Sequence, residues 1–275
     1  MNGTVSQFGF GMITPVTAFL MACFGSALGL RCTTRSLRRT YHRGRWLALG
    51  SISIGTGIWT MHFIAMIGFS IRGASITYDT RLTFLSLGVA VAVVAVGVFT
   101  VGYRGVSRST LAAAGIFTGV GVAAMHYLGM SSMHVDGDFS FDPVTVAVSV
   151  IIAIVAATAA LWAAVSLHAL WTSVAASAVM GLAVTGMHYT GMAAVSVHLN
   201  EHGSAVSSDP SVALFTFLLP VVAGPVAVLI IAASIVMFDP DMLVGQNDDS
   251  HDRPAVHAPI PAGRQLPAHN NRHAP

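Results

Sequence analysis

Long, continuous apolar runs separated by short polar segments organise this chain. A helix needs about 20 predominantly apolar residues to cross the hydrocarbon core of a bilayer. Seven stretches reach that length: 9–30, 46–71, 82–102, 110–133, 143–165, 171–197 and 212–238. None carries an Asp, Glu, Lys or Arg in its interior. The runs do not alternate apolar with polar positions, so they predict helices and not a barrel. The expected fold class is an all-α membrane protein with seven transmembrane helices.

Composition agrees. Charged residues make up 9% of the 275 and hydrophobic residues 54%, whereas a soluble domain carries about 25% charged residues. Too few charges remain to wet a globule of this size, so lipid must be much of the solvent. The charges are also segregated. Arg31, Arg35, Arg38, Arg39, Arg43 and Arg45 crowd the loop after the first run, and Arg104 and Arg108 the loop after the third. The alternate loops hold Arg72 and Arg81 and collect Asp79, Asp136, Asp138, Asp142, Glu201 and Asp209. By the positive-inside rule this predicts the N-terminus outside and the C-terminus in the cytoplasm. The arginines flank apolar spans, which argues against nucleic-acid binding. Residues 1–10 carry no charged side chain, so the first run reads as a retained helix and not a signal peptide. The domain boundary is expected near residue 240, with 1–240 a membrane domain and 241–275, rich in Pro, Asn, Asp and His, a disordered cytoplasmic tail.

A six-residue pattern recurs in the second, fourth and sixth runs. The copies are Met61-His62-Phe63-Ile64-Ala65-Met66, Met125-His126-Tyr127-Leu128-Gly129-Met130 and Met187-His188-Tyr189-Thr190-Gly191-Met192. The spacing is one helical hairpin per copy. Six positions before each leading Met stand Gly55, Gly119 and Gly181, and four before stand Gly57, Gly121 and Ala183. Small residues at such spacing let membrane helices approach closely. The simplest layout is three two-helix repeats of like orientation plus a closing seventh helix, the repeats related by a pseudo-threefold axis along the membrane normal. The histidines fall about 8 to 10 residues from the outer ends of their runs, roughly 12 to 15 Å. That puts them in the outer half of the bilayer or near its middle.

On a helix, residues four apart share a face, so His62 pairs with Met66, His126 with Met130 and His188 with Met192, while Met61, Met125 and Met187 flank the same side. Met133 and His134 extend the fourth run's stripe. If the three even helices face a common axis, three imidazoles and several thioethers meet in a dry space. Desolvation favours the neutral imidazole, the form that coordinates metals. Soft sulfur with borderline imidazole suits copper, especially Cu(I), and hard cations would want oxygens that the spans lack. Packing is the plainer reading of any one His or Met in a membrane helix. Three copies at one depth, confined to alternate helices, favour a functional site.

Other residues carry weaker signals. Trp59 is placed to pack over the site. Tyr127 and Tyr189 are placed to donate hydrogen bonds to a bound ligand or to pair within the bundle. His198 and His202 in an outer loop, and the tail residues His251, His257, His269 and His273, read first as incidental. Pro220 and Pro225 predict a kink in the seventh run. Cys23 and Cys32 read as reduced small residues.

The third copy, Met187-His188-Tyr189-Thr190, spells the name of the MHYT family of bacterial integral membrane sensor domains, and the chain resembles that family over about residues 9 to 238. The resemblance implies a multi-pass protein of the bacterial cytoplasmic membrane with a signalling role. It also implies copper held by Met61, His62, Met66, Met125, His126, Met130, Met187, His188 and Met192, and sensing of O2, CO, NO or redox state. Many relatives carry cyclic-di-GMP cyclase and phosphodiesterase modules. No such module fits in the tail, so the expectation is a sensor, not an enzyme, read by a separate cytoplasmic partner through the arginine-rich loop. Two alternatives stand beside it. One is a copper or cation transporter, for which the inner halves of the spans offer mainly Met12, Met21, Cys23 and Met180 without obvious register. The other is a haem-binding redox subunit.

Overall fold

The computed structural model describes residues 5–38, 42–71, 76–105, 107–135, 137–167, 169–199 and 219–238. The expected tail, with His251, His257, His269 and His273, lies outside the described residues, as do Arg39, Arg72, Asp136, Glu201, His202, Asp209 and residues 212–218.

Among the described residues the chain forms β1 (Val5–Ser6), α1 (Ile13–Arg38), α2 (Arg43–Ile67), β2 (Ser70–Ile71), β3 (Thr77–Tyr78), α3 (Thr80–Arg104) and α4 (Arg108–Ser131). These are followed by β4 (Met133–His134), β5 (Gly137–Phe141), α5 (Pro143–Ser166), α6 (Leu170–Ala193), β6 (Val195–Leu199) and α7 (Leu219–Met237). Six of the helices, α1 to α5 and α7, are long and apolar enough to cross a membrane. The α6 helix spans 24 residues.

Helix starts follow local chemistry. Asp79 caps α3 by accepting from Leu82 N at 2.9 Å, Ser107 caps α4 through Thr110 N at 3.0 Å, and Asp142 caps α5 through Thr145 N at 2.8 Å. Each satisfies an N–H that the helix itself leaves unpaired. Pro143 occupies the first position of α5, where a missing N–H costs nothing. Pro220 sits likewise in the first turn of α7, and Pro225 lies buried inside that helix.

Successive helices pack on one another, and α6 returns to α1, so that six helices close into a ring in chain order while α7 lies against α1 and α2. Glycines set the close approaches. A side-chain carbon at Gly55 would stand 2.7 Å from Val91 Cα on α3, one at Gly119 would stand 2.6 Å from Ile154 N on α5, and one at Gly181 would stand 3.1 Å from Cys23 N on α1. The same two-residue step brings Gly57 onto Gly25 of α1 and Gly121 onto Val93 of α3. The α2 helix is more enclosed than α5, because α7 covers it as well: 83% of its most apolar stretch is buried, against 28% for α5.

One end of the ring carries Arg31, Arg35, Arg43, Arg45, Arg104 and Arg108, at the α1–α2 and α3–α4 turns. There Arg43 stacks on Tyr103 at 5.1 Å and donates to the Gly102 carbonyl, and Arg35 lies 4.9 Å from the Trp46 ring. At the other end three small antiparallel sheets form, β1–β2, β3–β4 and β5–β6. Each ties the segment before an odd helix to the segment after the following even helix. The apolar runs took in β2 and the first residues of β4 and β6. The helices therefore end at Ile67, Ser131 and Ala193 rather than at 71, 133 and 197. Met133 and His134 belong to β4 and do not continue the α4 stripe; Met133 is buried and His134 exposed.

Candidate metal centre

Each motif histidine lies five residues before the end of its helix, His62 on α2, His126 on α4 and His188 on α6. That is roughly 7 to 8 Å below the sheet-bearing end, shallower than the longer apolar runs imply. All three are fully enclosed, at 1%, 0% and 1% exposure. Their rings form a nearly equilateral triangle, with centroids 4.9, 5.0 and 5.1 Å apart and planes close to perpendicular.

The Nδ1 atoms point at one another. Nδ1 of His62 lies 3.0 Å from Nδ1 of His188 and 3.1 Å from Nδ1 of His126. One ligand atom from each ring falls within 4.8 Å of the other two. A metal bound at about 2.0 Å to nitrogen holds its ligands roughly 3.3 to 3.5 Å apart in tetrahedral or trigonal geometry, and the two contacts at His62 fall just inside that spacing. The donor chemistry agrees. Nδ1 of His62 faces two other imidazole nitrogens at once, with a single proton or lone pair to offer them. A cation at the centre would engage three lone pairs at once. These residues fit a metal.

The methionines lie in two tiers. Met61, Met125 and Met187 are buried in the main core, and Met66, Met130 and Met192 join Met133, Phe69, Ile71, Val195 and Val197 in a second cluster beneath the small sheets. All six are 0 to 2% exposed.

Sequence reasoning passed over two residues of the site. Nε2 of His62 rests on Gly129, and Nε2 of His126 on Gly191. The available signal was the fifth motif position, which is small in all three copies: Ala65, Gly129 and Gly191.

Three expected neighbours make contacts of their own, Tyr127 and Tyr189 while lying edge-on to His126 and His188 at 4.9 and 5.1 Å. Trp59 packs on Phe63 at 4.4 Å and donates from Nε1 to Ser86 Oγ at 2.9 Å, tying α2 to α3. Tyr127 Oη lies 2.7 Å from Ser149 Oγ on α5, so its hydroxyl is committed to the bundle. Tyr189 Oη has no partner among the described residues, and its ring stacks on Phe8 at 5.7 Å. His198 is exposed on β6, opposite Asp138 of β5. Cys23 and Cys32 are both free.

The model of a bacterial signalling protein N-terminal repeat, MHYT, matches residues 55–114 and again 119–177. The chain carries two repeats of the MHYT family. Its two matched repeats begin at Gly55 and Gly119, the glycines that seat α2 on α3 and α4 on α5. The MHYT chain is 38% identical over 173 residues, 60% of its length, to the bifunctional diguanylate cyclase/cyclic di-GMP phosphodiesterase MucR of Pseudomonas aeruginosa. It is 34% identical over 184 residues, 65% of its length, to the cyclic di-GMP phosphodiesterase NbdA of the same organism. It is 30% identical over 189 residues, 66% of its length, to the signaling protein YkoW of Bacillus subtilis. The matched part is 25%, 23% and 23% of these relatives, so the chain spans about a quarter of their length. No solved structure matches it.

Proposed function

We propose that this MHYT chain is a metal-dependent membrane sensor whose input site is the histidine triad. The observation that carries the reading is the convergence of His62, His126 and His188 Nδ1 at 3.0 and 3.1 Å in a dry interior. Copper is the metal these donors favour, with the thioethers of Met61, Met66, Met125, Met130, Met187 and Met192 as the softer ligands around the imidazoles. Bound there, copper supplies an open coordination position for O2, CO or NO, or a redox change.

The arginine-bearing end faces the cytoplasm in this reading, and the triad lies toward the outer face of the bacterial inner membrane. The three hairpins α1–α2, α3–α4 and α5–α6 act as repeats about a pseudo-threefold axis, with α7 as the closing helix. Each even helix brings one imidazole to the centre, so a change in ligand geometry shifts α2, α4 and α6 against one another. The shift reaches the arginine-bearing turns, where a cytoplasmic signalling partner reads it. The names of MucR and NbdA suggest cyclic di-GMP turnover as the class of output.

The test is metal analysis of detergent-purified protein reconstituted with Cu(I), beside a His62→Ala/His126→Ala/His188→Ala variant. The wild type should retain copper and the variant lose it. Equal copper in the two would end the metal reading.

A further inference from the structure

A cavity of about 50 Å³ lies inside the helix ring, on the arginine side of the histidine layer. Its roof is Met187, the residue next to His188, and it extends along α6 to Met180, about 10 Å away. One wall is an alanine face of α5, Ala153, Ala156, Ala160 and Ala164, where larger side chains would fill the space. Only Ser26 and Thr118 bring hydroxyls to the lining.

Such a space is large enough for water, which needs roughly 10 to 15 Å³, but an ordered water also needs two to four polar partners. The two hydroxyls are a poor match, since Thr118 Oγ1 already lies 3.4 Å from the Val93 carbonyl. Apolar cavities of this kind stay dry and take up small apolar solutes. We infer that this cavity is a binding site for a small apolar molecule of diatomic-gas size, held directly beneath the triad. Its role as a reservoir for the metal centre rests on the sensor reading; its occupancy does not. A molecule leaving it toward the triad passes the Met187 thioether, so the first methionine tier forms the partition between store and site.

Xenon is a suitable probe. In chelator-treated full-length protein carrying 13C-methyl methionine, rising xenon pressure should shift the Met180 and Met187 methyl resonances saturably. Met12 and Met237, exposed at 67% and 74%, report xenon in the surrounding detergent and should shift linearly. Ala153→Leu and Ala156→Leu, made separately, should each abolish the saturable component. Linear shifts of equal size at all four methionines in the wild type would overturn the proposal, whether or not the variants fold. So would saturation that persists unchanged in both folded variants. Copper retention measured on a parallel sample separates the two readings: xenon saturation without copper binding sinks the metal and keeps the cavity site, and the converse sinks only the cavity site.

Discussion

Nε2 of His62 rests on Gly129 so closely that a side-chain carbon there would stand 2.5 Å away, and His126 bears the same relation to Gly191. These two imidazoles are therefore each seated by the even helix of the next hairpin, and the glycines fix how far their rings reach toward the centre. Gly129→Ala and Gly191→Ala should each destabilise the protein by about 1 to 3 kcal/mol through overpacking and reduce copper retention. Unfolding curves and metal content check both. Retention at the wild-type level in both variants would show that the seats do not position the rings.

The bond from Trp59 to Ser86 links α2 to α3 without touching the triad. Trp59→Phe leaves the Ser86 hydroxyl without that donor, and the loss of the bond itself is worth about 1 kcal/mol. A double-mutant cycle with Ser86→Ala should return a coupling of that size, with copper content unaffected. Zero coupling would remove the bond from the list of interhelical ties.

The tyrosines of the second and third motifs should behave differently. Tyr127→Phe breaks the bond to Ser149 and should cost about 0.5 to 1.5 kcal/mol. Tyr189→Phe removes a hydroxyl that has no partner among the described residues and should be neutral or slightly stabilising. Equal losses in thermal unfolding would contradict the assignment.

Asp142 offers a pH-dependent contact outside the membrane-spanning segments. The Thr145 hydroxyl, followed by the Thr145 backbone N–H, holds its carboxyl below the ordinary value of 3.8. A depressed carboxylate contributes stability above its unfolded value, and that contribution fades as pH falls through the lower folded value. Carboxyl 13C titration should give a midpoint under 3.8, and Thr145→Val should raise it. An unmoved midpoint in the variant would assign the shift to other groups.

The helices and the recurring histidines are legible in the sequence because a membrane span must be continuously apolar and an ionisable group within it stands out. Hydropathy is silent about neighbours, however. That α6 packs on α1, or that Gly129 faces His62, depends on which helix lies beside which. The sheets escape for a related reason: β1 is two residues long and pairs with Ser70 and Ile71, so nothing local marks it. The apolar run 46–71 takes in β2 along with α2, and the run 110–133 takes in the first residue of β4. Tyr127 was ambiguous in sequence for want of a visible partner; Ser149 supplies it one helix later.

Closure of α6 against α1 has a consequence for biosynthesis. His62 and His188 stand 126 positions apart, and their contact forms only after the third hairpin has been inserted and has swung back to the first helix. A nascent chain with two hairpins in the bilayer holds two of the imidazoles and no enclosed centre, so closure of the triad reports that all three hairpins are in place.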